Sequence, residues 1–350
     1  MHYPFVLTFM HKQFDQSSLW QENMIAMQEN WHRRHAFVSL DTATITHLIQ
    51  PAFPGQSLVS AEVIGGGLIN TNYKIHVSGL AEPYVLRIYM RDHAACQKEQ
   101  DIFQLIRGRV PVPEIIYADT EGMRYLQPYA ITSWVEGITL QALLNRGNLQ
   151  EMSEAAYAVG SVLATISSYT FEQAGFFGQG IVVAQPMVGI ADYIKAHLDA
   201  QAGQRLGPAL TERVWQLVTD NAVLLDEIAG TASLVHSDFQ ATNILVKQEA
   251  GGWTVAAVLD WEWAHSGTSL FDIAILLRHY KQQPALFEPR FIEGFVRQGG
   301  RLPYAWKKLT KLLDLVNLCE FLNGPDSRGT MADDVTNIIL DTVENWESFE

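Results

Sequence analysis

The sequence is poor in cysteine and in positive charge. Only two cysteines, Cys96 and Cys319, occur among 350 residues, and they lie too far apart for a metal-ligand spacing or a disulfide framework. The lysines and arginines number 24 against 38 aspartates and glutamates, which gives a net charge of −14. Such a balance disfavours nucleic-acid binding, because a phosphate backbone needs basic groups opposite it. We therefore expect a reduced, cytoplasmic protein with no nucleic-acid partner.

Long apolar runs and repeats are also missing. The one candidate targeting segment, residues 3–10, is too short to cross a membrane and lacks a basic start and a small-residue cleavage site. We find no repeat, low-complexity tract or heptad pattern. The hydrophobic content of 48% is ordinary for a globular protein. We expect no membrane association and a length sufficient for about two domains.

The first 36 residues show no clear hydrophobic period. Met24 and Met27 stand shortly before a predicted helix that Asp41 caps and Pro51 ends. Either methionine is a candidate natural start. We expect residues 1–36 to form an N-terminal extension, of which residues 1–26 are dispensable for folding.

A polar loop between two apolar runs organises the rest of the chain. It covers residues 236–243, between Leu234-Val235 and Ile244-Leu245-Val246. Asp238 and Asn243 stand five positions apart, the separation found in the catalytic loop of kinases. A carboxylate can orient a hydroxyl and accept its proton, and an amide oxygen is a neutral metal ligand. The pair alone is weak evidence, since an Asx turn capping a strand explains it equally well.

A second strand follows this loop and strengthens the interpretation. Residues 247–252 form a polar turn, and residues 253–259 form an apolar run that ends on Asp260. The predicted hairpin therefore brings Asp260 to the end where Asn243 lies. Oxygen ligands from two strand ends suit Mg²⁺ bound together with phosphates, and a turn-forming Asp after a strand is the alternative.

These motifs resemble those of a known family. His236-x-Asp238-x-x-x-x-Asn243, followed by Leu259-Asp260-Trp261-Glu262, is similar to the signature of the aminoglycoside phosphotransferase and choline kinase-like family. The family has His-Gly-Asp where this chain has Ser237 in the middle position.

The resemblance implies an α+β, bilobal protein kinase-like fold. Its N-lobe is a small antiparallel β-sheet with one main helix, and its C-lobe is larger and mostly helical. It also implies ATP and Mg²⁺ as cofactors, Asp238 as the catalytic residue, and Asn243 and Asp260 as magnesium ligands. By the same resemblance, Asp272 supports the catalytic loop and is not a ligand.

Three consecutive glycines, Gly65, Gly66 and Gly67, stand between two strand-like runs within residues 63–77. Glycines let a backbone approach phosphate oxygens closely, and they also simply make a good turn. With Asn70, they form a pattern similar to the nucleotide loop of the family. No Lys-Ser/Thr follows, so the pattern is not a P-loop.

The next strand, residues 84–89, carries Arg87. In the kinase plan this strand holds a Lys that contacts the phosphates and pairs with a Glu of the following helix. Arg departs from that pattern but keeps the charge and offers a bidentate fork. We predict a helix over residues 94–107 with Glu99 as the partner, and Asp92 and Asp101 as competing carboxylates.

A connector after the fifth predicted strand contains Ser133 and Val135, whose backbone is expected to face the adenine. We assign residues 37–133 to the nucleotide-binding N-lobe and residues 134–350 to the catalytic and substrate-binding C-lobe. After Gly137 we predict helices apart from the catalytic hairpin, among them a helix over residues 211–228 opened by Thr211.

The predicted reaction is transfer of the γ-phosphoryl group of ATP to a hydroxyl of a small molecule, of the amino-alcohol, aminoglycoside, homoserine or sugar type. Asp238 positions and deprotonates this hydroxyl, whereas His236 braces the loop in preference to acting as a general base. Glu262 either reaches the second shell of the metal or faces solvent. The sequence does not indicate the oligomeric state.

The acidic charge is compatible with a cationic acceptor. An aromatic and acidic pocket for an amine is one interpretation of six residues, and aromatic core packing is the other. The six residues are Trp261, Trp263, Trp306, Tyr280, Glu262 and Glu320.

Two rival functions remain, a nucleotide-binding module without catalysis and a protein kinase. A protein kinase would show Phe-Gly after the metal Asp and an Ala-Pro-Glu segment, and neither occurs here.

Overall fold

The structure is a computed structural model that describes residues 37–65, 69–324 and 330–350, with only the backbone of residue 330. The predicted N-terminal extension, Gly66 and Gly67 lie outside the described residues. The described chain combines antiparallel sheets with helices that dominate its second half. The predicted α+β class is therefore confirmed.

A helix and a five-stranded antiparallel sheet form what we call the small lobe. Helix α1 begins after Asp41, whose carboxylate accepts a hydrogen bond from the amide of Thr44 at 2.7 Å, as predicted. The strand order is β1-β2-β3-β5-β4. Alternate residues of β2 are buried against α1, as a half-buried strand requires. The elements are α1 (Thr42–Ile49), β1 (Leu58–Ile64), β2 (Thr71–Val77), β3 (Tyr84–Ile88), β4 (Ile115–Asp119) and β5 (Tyr129–Ser133).

Helix α2 (His93–Ile106) links the two parts of the molecule. It starts at Asp92, whose carboxylate accepts from the amide of Ala94 at 2.9 Å. The apolar residues Ile102, Phe103 and Ile106 lie in the core of the second half of the chain. The core beneath the sheet is a separate cluster that includes residues of α1. Earlier in the helix, Ala95 and Cys96 cluster with Tyr89 and Ala130 of the small lobe, so α2 packs on both halves of the chain.

The helices of the second half surround one large core, and we call this part the large lobe. Its longest helices are α4 and α11, and α4 packs closely on α10 through Gly160 and Gly294. A Cβ on Gly160 would lie 1.9 Å from the carbonyl oxygen of Phe291, and one on Gly294 would lie 2.0 Å from that of Tyr157. The helices are α3 (Leu140–Asn145), α4 (Leu149–Ser167), α5 (Ile190–Leu198), α6 (Gln201–Leu206), α7 (Pro208–Asp220), α8 (Ala222–Asp226), α9 (Leu270–Leu276), α10 (Phe287–Arg297), α11 (Trp306–Asn323) and α12 (Thr330–Glu344).

The large lobe also contains two small antiparallel sheets. The predicted hairpin is present, and a further strand extends it in the order β11-β10-β6. A four-stranded sheet in the order β8-β7-β12-β9 was not expected, so the prediction of helices alone outside the hairpin is wrong. The strands of this sheet span three or four residues, which is too short to show the alternation of apolar and polar residues that predicts a strand. The strands are β6 (Ile138–Thr139), β7 (Gly175–Phe177), β8 (Val183–Pro186), β9 (Ser233–Val235), β10 (Ile244–Glu249), β11 (Gly252–Val258) and β12 (His265–Gly267).

The predicted start of a helix at Thr211 is also wrong. Helix α7 begins three residues earlier, at Pro208, and follows Gly207 with φ 75°. Proline suits the first helical position because it needs no amide donor there. The hydroxyl of Thr211 instead donates to the carbonyl of Gly203 at 3.1 Å. The helix ends before Asn221, which separates it from α8.

Both cysteines are buried and unpaired. No helix in the described ranges is long and apolar enough to span a bilayer. Strand β5 ends at Ser133 and β6 begins at Ile138, so the predicted domain boundary falls in the connector between them. The division into domains stays a prediction.

Candidate active site

The polar loop of residues 236–243 joins β9 to β10, and Asp272 of α9 binds the first two residues of this loop. The amides of His236 and Ser237 donate to the two carboxylate oxygens of Asp272 at 2.9 and 2.8 Å. Asp272 is fully buried. Burial raises the pKa of this carboxyl to about 7, although the two amide donors oppose the shift. The position matches the supporting role that the resemblance implies for Asp272.

The imidazole of His236 is fully buried and has both nitrogens engaged. Nδ1 lies 3.1 Å from the amide of Asp238, which donates to it, and Nε2 lies 2.9 Å from the carbonyl oxygen of Leu259. Because a carbonyl only accepts, Nε2 carries the proton. Burial lowers the pKa of His236 to about 4, so the ring is neutral at physiological pH. This geometry suits the bracing role and leaves no nitrogen for general-base chemistry.

Two side-chain amides hold the carboxylate of Asp238. Asn243 Nδ2 donates to Oδ2 at 2.7 Å, and Gln240 Nε2 donates to Oδ1 at 2.9 Å. Burial and the charge of Asp260 raise the pKa of Asp238 well above its usual range, while the two amides and Arg278 lower it. Sequence reasoning missed Gln240, because glutamine alone indicates no chemistry.

Asn243 and Asp260 lie at one end of the β10–β11 hairpin. The amide of Leu259 donates to the carbonyl oxygen of Asn243 at 2.8 Å. Since Asn243 Nδ2 faces Asp238, its amide oxygen remains the acceptor available to a cation. Within the described ranges, no three His, Cys, Asp or Glu side chains converge as metal ligands. The oxygen donors here fit Mg²⁺ that is shared with substrate phosphates.

Arg87 spans the gap between β3 and the hairpin end. Its Nη2 donates to Asp260 Oδ1 at 2.5 Å, and its Nε lies 3.7 Å from Glu99 Oε2. Burial alone would lower the pKa of Arg87, but the charges of Asp260 and Glu99 raise it well above its usual range. Of the three carboxylates considered for this pair, the structure places Glu99 beside Arg87. Asp92 caps α2, and Asp101 accepts from the amide of Gly180 at 3.1 Å.

Glu99 is itself held by two further donors. The Tyr89 hydroxyl donates to Oε2, and the amide of Trp261 donates to Oε1 at 3.1 Å. Sequence reasoning missed Tyr89. It follows Arg87 by two residues, so the strand period alone places it on the same face of the sheet. The two donors fix the carboxylate between the small lobe and the segment that follows Asp260.

Glu262 faces the interior beside this network. It is 2% exposed, so the alternative in which it faces solvent is wrong. Its Oε1 accepts from Asn70 Nδ2 at 3.3 Å, and Asn70 Oδ1 accepts from the amide of Met90 at 3.1 Å. Burial and the charge of Asp260 raise the pKa of Glu262. Asn70 thus connects the end of the glycine turn to the segment after Asp260.

Gly65, Ser133 and Val135 are the remaining predicted nucleotide contacts among the described residues. A Cβ on Gly65 would meet no described atom within 4 Å. The amide of Ser133 donates to the carbonyl of Glu114 at 2.8 Å, and its hydroxyl accepts from the amide of Glu114 at 2.9 Å. Ser133 is therefore engaged in the pairing of β4 with β5, and Val135 is the predicted adenine contact that lies in the connector itself.

Three of the six residues considered for an amine pocket have their rings in contact with other groups of the protein. Trp261 lies in the core with its ring centroid 4.6 Å from that of His236. Arg91 covers Trp263, with its Cζ 3.4 Å from the ring centroid, and Lys311 Nζ lies 4.5 Å from the centroid of Tyr280. Cations of the protein thus occupy two of the rings. The core-packing interpretation holds for Trp261.

Comparisons with known proteins show the family and the fold of the chain. Residues 60–310 match the family model described as the phosphotransferase enzyme family. The curated Arabidopsis thaliana protein named probable acyl-CoA dehydrogenase IBR3 is 25% identical over 272 residues, which cover 71% of this chain. The match spans only 31% of the length of that relative.

Solved structures share the fold. Aminoglycoside phosphotransferase APH(4)-Ia, in a complex with ADP and hygromycin B, has a TM-score of 0.64 at 18% identity and covers 86% of this chain and 98% of its own. Aminoglycoside phosphotransferase APH(2'')-Ib with ADP has a TM-score of 0.59 at 16% identity, with 87% and 99% covered. These likenesses concern the fold, and they confirm the protein kinase-like architecture predicted from the sequence.

Proposed function

The chain belongs to the phosphotransferase enzyme family, and we propose that it transfers the γ-phosphoryl group of ATP to a hydroxyl of a small molecule. The observation that supports this most strongly is that hydrogen bonds fix the orientation of the Asp238 carboxylate. Its carboxylate accepts from Asn243 and Gln240 on a loop that Asp272 fixes. A half-buried, oriented carboxylate beside a hard-oxygen cation site is what hydroxyl activation requires.

The acceptor hydroxyl donates its proton to Asp238 as its oxygen attacks the γ-phosphorus. His236 keeps the loop in place through its bonds to Asp238 and Leu259. Because the imidazole is neutral and fully hydrogen-bonded, it adds no charge beside the carboxylate. Positioning and electrostatics supply most of the catalysis in phosphoryl transfer.

The nucleotide end of the site is the Arg87 network. The guanidinium would neutralise phosphate charge, with Glu99 keeping it oriented. Asn243 and Asp260 would hold Mg²⁺, which neutralises charge on the phosphates when bound. Gly65 with its two neighbours, together with Val135, would contact the phosphates and the adenine. Asn70 and Glu262 would fix the glycine turn against the metal segment.

The acceptor is a small molecule bearing a hydroxyl, of the amino-alcohol, aminoglycoside, homoserine or sugar type. Trp263 and Tyr280, which the sequence analysis considered for an amine pocket, give no support for a cationic acceptor, since cations of the protein cover their rings. The alternative function is nucleotide binding without transfer. The intact set of Asp238, Asn243 and Asp260 speaks against that alternative.

We expect Asp238→Asn to abolish transfer while ADP binding is retained, because the amide cannot accept the hydroxyl proton. The measurement is ATP consumption with Mg²⁺ over a panel of amino-alcohols, aminoglycosides, homoserine and sugars. A loss of about 10²-fold or more is typical for a catalytic acid or base. Calorimetric titration with ADP provides the binding control.

Two outcomes would overturn the proposal. Turnover retained by Asp238→Asn would remove Asp238 from the mechanism. ATP binding by the wild-type protein without phosphorylation of any hydroxyl compound in the panel would favour the non-catalytic binding module. Repeating the panel with GTP tests the choice of nucleotide.

A further inference from the structure

Each oxygen of the Asp238 carboxylate carries its own amide donor. Asn243 Nδ2 holds Oδ2 at 2.7 Å, and Gln240 Nε2 holds Oδ1 at 2.9 Å. The first donor belongs to a residue already placed at the cation site. The second donor belongs to Gln240, which is assigned no role in nucleotide or metal binding.

The two oxygens are not equivalent. Asn243 Nδ2 also donates to the main-chain carbonyl of Asp238 at 3.0 Å, and its own carbonyl accepts from Leu259 at 2.8 Å. Oδ2 is thereby tied to the residue at the hairpin end, where the cation site lies. Oδ1 is the oxygen left for the acceptor. A carboxylate oxygen accepts two hydrogen bonds, so Gln240 and a hydroxyl can share Oδ1.

The backbone of the loop fixes Gln240 in this position. Its amide donates to the carbonyl of Asp238 at 2.9 Å, and its carbonyl accepts from the amide of Asn243, also at 2.9 Å. The side chain therefore reaches Oδ1 from a backbone that is bonded on both sides. Because this backbone is already fixed, the hydrogen bond to Oδ1 orders only the side chain of Gln240.

We propose that Gln240 is a positioning residue for phosphoryl transfer, which holds Oδ1 of Asp238 in the orientation that receives the acceptor proton. This inference rests on the proposed function. In the step, the acceptor oxygen forms a bond to the γ-phosphorus, the bond from that phosphorus to the β–γ bridging oxygen breaks, and the proton passes to Oδ1. ADP leaves with the electron pair of the broken bond.

The test compares Gln240→Leu, which keeps the size of the side chain without the donor, with Gln248→Leu. Gln248 is an exposed residue of β10 and serves as the matched control. In Gln240→Leu we expect kcat to fall about 10- to 100-fold, as for a misplaced catalytic group, with the KM for ATP and the melting temperature unchanged. Gln240→Glu, which places a second carboxylate against Asp238, should lose more.

A purely structural role would instead lower the melting temperature and raise the KM for ATP. An unchanged kcat in Gln240→Leu, or losses confined to stability, overturns the proposal. Infrared spectra of protein with ¹³C-labelled aspartate give a second readout. The Asp238 band, identified by its loss in Asp238→Asn, should shift in Gln240→Leu and not in Gln248→Leu.

The infrared readout separates the two proposals. If the wild-type protein phosphorylates no acceptor, the proposed function fails, and an unshifted Asp238 band would show in addition that Gln240 does not hold the carboxylate. If the wild-type protein turns over and Gln240→Leu does so equally fast, the function stands and the assignment of Gln240 fails.

Discussion

At the scale of single residues, Ser237 has a strained backbone conformation within the polar loop of residues 236–243. Its φ is 68°, in the left-handed region that glycine adopts without penalty. The resembling family has glycine at this position. The amide of Ser237 donates to Asp272, so the strained backbone is what aims this donor at the supporting carboxylate.

We expect Ser237→Gly to raise the free energy of unfolding by about 0.5–1 kcal/mol. The left-handed backbone costs a non-glycine residue about 1–2 kcal/mol, and the greater freedom of glycine in the unfolded chain offsets part of the gain. Urea denaturation measures the change. Ser237→Ala is the control, because it keeps the Cβ and should give no gain; equal stabilisation by both variants would contradict the assignment to φ.

Residues with distinctive chemistry at fixed spacing could be predicted from the sequence. Asp238 and Asn243 precede the first strand of one short hairpin and Asp260 follows the second, so the local geometry of the hairpin brings them together without knowledge of the fold. Tyr89 and Gln240 were missed because hydroxyl and amide groups occur everywhere, and their partners are known only once the fold is. Trp261 stayed ambiguous because an aromatic side chain suits a core and a pocket alike.

At the scale of secondary-structure elements, the contact between α4 and α10 depends on two glycines. A Cβ on Gly160 would lie 1.9 Å from the carbonyl oxygen of Phe291, which is far inside van der Waals contact. Ser161 adds a hydrogen bond from its hydroxyl to the carbonyl of Gly294 at 3.3 Å. The helices pack this closely because neither crossing residue has a side chain.

We expect Gly160→Ala to lower the free energy of unfolding by about 3 kcal/mol, toward the upper end for an overpacked core. The helices must separate to admit the methyl group, and the core loses contacts along their length. Thermal unfolding followed by circular dichroism measures the effect. Gly251→Ala, in the β10–β11 turn where a Cβ meets no described atom within 4 Å, should be nearly neutral; equal losses in both would refute the packing account.

Long elements with clear caps and periods could be predicted, and short ones could not. Helix α1 begins after Asp41 as predicted, because an N-cap is a local signal. Strands β7, β8, β9 and β12 span at most four residues, and their pairing partners are distant in sequence. The start of α7 at Pro208 depends on one left-handed glycine, which the competing Thr211 signal obscured.

At the scale of the whole molecule, buried histidines link stability to pH. Burial lowers the pKa values of His236, His265 and His279 to about 4. The unfolded state therefore binds more protons than the folded state between the ordinary histidine pKa and about 4. Their contribution to stability is complete above the ordinary pKa and is lost as the pH falls toward 4. Asp272, with its pKa raised to about 7, acts in the opposite direction.

We expect His279→Gln to reduce the fall in the free energy of unfolding between pH 7.5 and 5.5 by about 1 kcal/mol. The variant removes one histidine whose pKa burial lowers to about 4, and the loss that such a group contributes over this range is about 1 kcal/mol. The carboxyls of Asp238, Glu262 and Asp272, whose pKa values burial raises, act in the opposite direction in both proteins and cancel in the comparison. Urea denaturation of both proteins at the two pH values and constant ionic strength tests this, and an equal fall in the two proteins would contradict it.

The placement of α2 has a mechanical consequence. Its residues Ile102, Phe103 and Ile106 are built into the large core, while Ala95 and Cys96 pack against Tyr89 and Ala130 at the sheet. A rotation of the sheet against the large lobe would therefore have to break one of these two sets of contacts. It would also separate Arg87 from Asp260. This ion pair favours the arrangement in which the sheet and the hairpin end lie together, and an incoming phosphate would compete for the same guanidinium.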